Sequence, residues 1–254
     1  MADTEELFAR FRDGGAHCAG GKRPVFSGLV LNEKGLERAM AAGVEMLCMG
    51  VSASETHSRK NTGMGTDEAL SQILSMAVKA AAAGKTVQAS VQSAFGCGFE
   101  GTIPRQRVLG IVAKYIEAGV SNISLADTAG HAHPAQVEDL FGAVRALEAN
   151  VSLACHFHNT YGLGLANCFA AMRSGVRILE SAFGGLGGCP FTKVAAGNVC
   201  TEDLVHSLQR MGLCTDIDLS GLIDLAKDVG LYFERELPGF ILKSGSLVRP
   251  KASA

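Results

Sequence analysis

Six short runs of β-branched or apolar residues recur along the chain, and each gives way to a longer stretch whose apolar residues return with helical spacing. The runs are "RPVFSGLV" from Arg23, "VEMLCMGV" from Val44, "TVQASVQ" from Thr86, "VSNISLAD" from Val120, "VSLACHFH" from Val151 and "VRILESAF" from Val176. The intervening pattern is clearest in "TDEALSQILSMAVKAAAAG", where Thr66 is expected to cap a helix and Gly84 to stop it. It is equally clear in "PAQVEDLFGAVRALEAN", which begins with Pro134 in its first turn. Strands this apolar, alternating with helices, belong to a parallel sheet covered on its faces, either a barrel or an open doubly wound sheet.

The loops discriminate between the two. Polar and glycine residues gather after the strands: "SASETHSRKN", "SAFGCGFEG", "DTAGHAH", "NTYGLG" and "GGLGGC" follow the second to the sixth. Five chemically rich loops at one edge are the layout of a (β/α)8 TIM barrel, whose site lies at the C-terminal ends of its strands, whereas an open sheet concentrates its site at one switch point. A closed barrel needs eight strands in about 250 residues. The chain has the length, at 254 residues, but only six strands are recognisable. The expected arrangement is a single domain over 1–254, with strands across about 23–183, a lid loop at 184–198 and C-terminal helices across 201–235.

Composition narrows the partners. The chain is 47% hydrophobic with a net charge of -2, and it has no Lys/Arg cluster, so nucleic acid and an acidic membrane are not expected and a small molecule is. Eight scattered cysteines without a CxxC pair read as reduced thiols of a cytosol-like compartment. "MADTEELFARFRDGG" is neither a signal peptide nor an anchor.

Three features carry chemistry. His156 and His158, two apart at a strand end, project to one face, which in a barrel is the interior. They suit a divalent metal, or are core histidines satisfied by hydrogen bonds. With oxygen donors beside them they favour Mg²⁺ or Mn²⁺ over structural zinc. Asp127 ends the preceding strand and is expected at the same mouth, as metal ligand, acid or base, or else as a cap or turn residue. "GGLGGCPFTKVAAGN", 184–198, places Cys189 among glycines and before Pro190. It lacks the spacing of GxGxxG and the GK[ST] of a P-loop. A thiol there can exchange a proton when a mobile lid closes, or can be a small cysteine in a tight turn. All three features converge on one mouth.

The words "ISLADTAG", "HFHNTYGLGLAN", "GGLGGCPF", "AAGN" and "TEDLVHSLQRMG", with "SASETHSRKN" and "SAFGCGFEG" upstream, resemble hydroxymethylglutaryl-CoA lyases, metal-dependent carbon–carbon lyases on a TIM barrel. The likeness runs in order from about Pro24 to Leu213. It implies His156, His158 and Asn198 as ligands of Mg²⁺ or Mn²⁺, and Cys189, Asp127 and His156 as the residues of the reaction. It also implies an acyl-CoA substrate, 3-hydroxy-3-methylglutaryl-CoA, cleaved to acetyl-CoA and acetoacetate. Two open strand edges make a homo-oligomer, a dimer, expected, and the reduced thiols a cytoplasmic one.

The family's first strand ends in a "PRDG"-like motif, and its second carries a glutamate. "FRDGG" at 11–15 follows a helix-like stretch, so Arg12 and Asp13 are read as unrelated to that motif, and the chain reads as one that begins two β/α steps late. By itself it is then expected to cleave slowly, or to bind metal, acyl-CoA or a lyase subunit without turnover. Asn159 where these lyases have Asp, and Lys193 in a usually apolar stretch, leave room for another 3-hydroxyacyl-CoA.

Overall fold

A computed structural model describes residues 3–13, 23–187 and 197–247. All six strands form where the sequence places them: β1 (Ser27–Leu29), β2 (Met46–Ser52), β3 (Thr86–Gln92), β4 (Asn122–Asp127), β5 (Ser152–Phe157) and β6 (Ile178–Glu180). Every adjacent pair is parallel, in the order β1-β2-β3-β4-β5-β6. Helix α1 (Thr4–Asp13) precedes the sheet, and between the strands lie α2 (Glu33–Ala41), α3 (Glu55–Thr62), α4 (Thr66–Ala82), α5 (Arg105–Glu117), α6 (Pro134–Leu147) and α7 (Gly164–Arg173). A short 3-10 turn at Phe183–Gly185 and helices α8 (Thr201–Arg210), α9 (Leu219–Tyr232) and α10 (Phe240–Ser244) follow.

Strand parity divides the sheet. Leu47, Met49 and Val51 of β2, Val87 and Val91 of β3, Ile123 and Leu125 of β4 and Leu153 and Phe157 of β5 are buried on one face, packed with helix residues such as Met76, Val112, Tyr115 and Phe141 into one continuous core. The other face carries small and polar residues, among them Gly50, Ser90, Ser124 and Ala154, which the register sets in line across the strands.

The sheet is curled around that second face. Glu180 of β6 accepts a hydrogen bond from Gln88 Nε2 of β3 at 2.8 Å. Three strand spacings in a flat sheet would separate these residues by about 14 Å, so the strands follow the wall of a barrel. The six-stranded, curled α/β architecture is thus of the TIM-barrel type that the sequence predicts.

One local expectation changes. Thr66 is the first helical residue, not the cap: Gly65 occupies that position, and the Thr66 amide donates to Glu55 Oε2 at 2.8 Å. Helix α6 does begin with Pro134, but its cap is His133, whose side chain accepts from the Gln136 amide. Gly84, just past α4, has φ +72, the left-handed conformation that glycine adopts without cost.

Candidate metal centre and active site

The register of β5 places His156 opposite Ala126 on one side and Glu180 on the other, on the small-residue face. His158, two residues on, shares that face. The two rings lie 5.2 Å apart, edge to face. Burial, and then the neighbouring His156, push the His158 imidazole down to about 4, so it is neutral near pH 7 and has a lone pair to give.

The third candidate donor, Asn198, comes from far along the chain. Residues 197–199 run antiparallel beside the end of β5: the Val199 amide donates to the Phe157 carbonyl at 3.2 Å, and the Asn159 amide to that of Gly197 at 3.2 Å. This bridge pairs Asn198 with His158. The Asn198 amide nitrogen donates to the Leu186 carbonyl at 2.8 Å, while its oxygen is buried and has no hydrogen-bond partner among the described residues.

A buried acceptor left unpaired costs roughly 1–3 kcal/mol, and a cation beside the two imidazoles would satisfy it. No three of His, Cys, Asp and Glu gather as a metal cluster among the described residues. The candidate donors are therefore two imidazole nitrogens and one amide oxygen. This set fits a hard divalent cation that also binds substrate.

Glycine makes the bridge possible. A Cβ on Gly197 would lie 1.6 Å from the Gly185 carbonyl oxygen, and one on Gly187 would lie 2.7 Å from the Asn198 amide nitrogen. Gly187 and Gly197 are the two ends from which 188–196 depart, and Cys189, Pro190 and Lys193 lie in that stretch, outside the described residues.

The base of this loop is held by a residue that the sequence reading did not single out. Glu202 is fully buried and accepts from the Gly184 amide at 3.0 and 3.2 Å and from the Cys200 thiol at 2.7 Å. Burial and this carboxylate raise the Cys200 thiol to about 12. Asp203 accepts from the Phe240 and Ile241 amides at 3.0 and 2.8 Å, docking α10 against α8.

Asp127 differs from expectation. The register pairs it with Phe157, on the outward face, and its carboxylate turns into its own loop to accept from the His131 and Ala132 amides at 2.8 and 3.0 Å. Burial raises its pKa against these two bonds. These bonds are those of a turn residue, one of the alternatives, and they shape the loop that follows β4. That loop packs on the loop after β5: a Cβ on Gly130 would lie 2.8 Å from Thr160, and the rings of His131 and Tyr161 are 5.9 Å apart.

Arg12 lies on α1 and donates to the Ala42 carbonyl at 3.4 Å. Ala42 caps the C-terminus of α2, at the N-terminal ends of the strands and opposite the mouth. Arg12 is thus placed away from the mouth; Gly14 and Gly15 of "FRDGG" lie outside the described residues.

Also missed was Glu180. Its Oε2 lies 3.3 Å from His156 Nδ1, and its Oε1 accepts from Gln88 and from Ser124 at 2.8 and 3.0 Å. Burial would raise its pKa, but the bonds from His156, Ser124 and Gln88 hold the carboxyl below its ordinary value. An acidic residue at an inward position of an otherwise apolar strand was the available signal.

Comparison with known proteins places this mouth in a family context. Residues 16–229 match the HMGL-like family model. A hydroxymethylglutaryl-CoA lyase of Bacillus subtilis is 37% identical over 217 residues, covering 85% of this chain and 73% of that protein. An (R)-citramalyl-CoA lyase of Chloroflexus aurantiacus is 38% identical over 220 residues, covering 87% and 69%. The structure of an HMG-CoA lyase from Acinetobacter baumannii, in complex with coenzyme A and 3-methylmalate, superposes with a TM-score of 0.85 at 37% identity, over 98% of this chain and 79% of that one.

Proposed function

Because the chain belongs to the HMGL-like family of carbon–carbon lyases, we propose that it cleaves a 3-hydroxyacyl-CoA, in the first place 3-hydroxy-3-methylglutaryl-CoA, to acetyl-CoA and acetoacetate. The observation that carries this reading is the unpartnered Asn198 oxygen, brought by the 197–199 bridge to the His156 and His158 pair. His156, His158 and Asn198 would hold Mg²⁺ or Mn²⁺. When bound, a divalent cation supplies Lewis acidity that makes the substrate hydroxyl easier to deprotonate.

The chain's own residues do the rest. The hydroxyl loses its proton, the carbon–carbon bond breaks as the carbonyl forms, and the electron pair leaves as the thioester enolate, which then takes up a proton. Cys189, in the 188–196 stretch, is the residue proposed to handle one of these protons. Asp127 serves by fixing the 128–132 loop. The working form is proposed to be a cytoplasmic dimer. No helix among the described residues is long and apolar enough to cross a membrane.

A second substrate is favoured by the relative that acts on (R)-citramalyl-CoA, in which one methylene fewer separates the carbinol from the free carboxylate. Asn159 and Lys193, where the sequence departs from the lyase pattern, are the residues to examine. The test is to incubate the chelated and Mg²⁺- or Mn²⁺-reconstituted protein with each thioester and measure acetyl-CoA. Metal-dependent release from one of them is expected. Metal binding without turnover of either would replace the lyase reading with that of a binding protein.

A further inference from the structure

Two protons on an imidazole ring's nitrogens make a cation, and one leaves a choice. In neutral histidine either Nδ1 or Nε2 carries the hydrogen, and only the other can donate a lone pair. At His156 the surroundings make that choice. The carboxylate of Glu180 accepts hydrogen bonds only. Its Oε1 is taken by Gln88 Nε2 at 2.8 Å and Ser124 Oγ at 3.0 Å, while its Oε2 lies 3.3 Å from His156 Nδ1. Three strands thus converge on one side chain from the fourth. The inward positions of β4 and β5 that Glu180 crosses carry the small residues Ser124 and Ala154.

We propose that Glu180, locked by Gln88 and Ser124, is the positioning residue of the metal pair: it takes the Nδ1 hydrogen of His156 and so leaves the lone pair on Nε2. Resting on the reading of His156 and His158 as metal ligands, the inference extends that site inward by one layer. It assigns a role to three residues, two of them uncharged, outside the histidine pair. Outer partners of this kind change metal affinity by about 10–100-fold in other sites.

The experiment is side-chain ¹⁵N NMR of His156 in the metal-free protein at neutral pH, paired with Mn²⁺ titration of the same samples. In the wild-type protein His156 is expected as the Nδ1–H form. In Glu180→Ala the signal should move toward Nε2–H and the Mn²⁺ dissociation constant should rise about 10–100-fold. Ser124→Ala, which removes one of the two locks, should give a smaller change in the same direction.

A wild-type protein with His156 in the Nε2–H form overturns the proposal, even if Glu180→Ala does not fold. So does a Glu180→Ala protein with an unchanged tautomer and Mn²⁺ affinity. A role confined to packing would lower stability but leave the tautomer alone. A wild-type protein that binds no Mn²⁺ removes the metal reading instead, while the tautomer still decides whether Glu180 orients His156.

Discussion

At the scale of single residues, the site is a set of buried polar atoms, each with or without a partner. Asn198 has its nitrogen satisfied and its oxygen not. Asn198→Ala should therefore cost about 1 kcal/mol through the lost bond to Leu186, yet weaken Mn²⁺ binding by roughly tenfold or more; urea unfolding and Mn²⁺ titration separate the two. His158 gives a pH dependence. Burial depresses its folded-state pKa from 6.5 to about 4, so the unfolded chain takes up a proton first as pH falls. Its contribution to stability is present above pH 6.5 and is lost as pH drops through about 4. In metal-free protein the urea midpoint should fall across this window and should fall less in His158→Gln. Equal slopes in the two proteins would show that His158 is not buried as described.

The histidine pair was legible because two residues of one type spaced by two must share a face. Asp127 was not legible in the same way. Its face depends on the pairing of β4 with β5, which sets it beside Phe157, and no property of "SLADTAG" alone reveals that register. Glu180 and Glu202 were missed for a related reason: a buried carboxylate declares itself by its donors, and those of Glu180 come from β3, β4 and β5.

At the scale of elements, the fold of the mouth depends on two joints. One is the 197–199 bridge, where the Gly185 backbone leaves no room for a side chain at Gly197. Gly197→Ala should displace the bridge and abolish Mn²⁺ binding, while the far-ultraviolet circular dichroism of the six-stranded sheet stays close to wild type. The other joint is Glu202 at the start of α8. Glu202→Leu leaves the Gly184 amide and the Cys200 thiol without their acceptor, a loss of about 2–3 kcal/mol. Hydrogen exchange should report it as faster exchange at Gly184, with amides of β3 and β4 unaffected at their local level.

The strands and helices were the most legible layer, since apolar runs bounded by glycine and polar loops recur six times. The cap of α4 was less so. Thr66 looks like a cap by residue type, but the carboxylate that satisfies its amide belongs to Glu55 on the preceding helix.

At the scale of the molecule, the apolar residues on the outward face make one core with the helices, and the inward face is left for chemistry. The distribution of thiols follows. Cys97, Cys155, Cys168 and Cys200 are buried and Cys214 is exposed. An alkylating reagent at pH 8 should modify Cys214 at once and those four only as fast as the protein opens; rapid modification of Cys155 would contradict the core.

The curl of the sheet was expected from the loops, but its proof is a side-chain bond across strands, which lies beyond any sequence pattern. The arrangement of His156, His158 and Asn198 is tested most directly by electron spin-echo spectroscopy of the Mn²⁺-loaded protein. One Mn²⁺ per chain with couplings to two imidazole nitrogens is expected, reduced to one in His158→Ala. Bound Mn²⁺ without any imidazole coupling would contradict the metal centre and the lyase chemistry built on it.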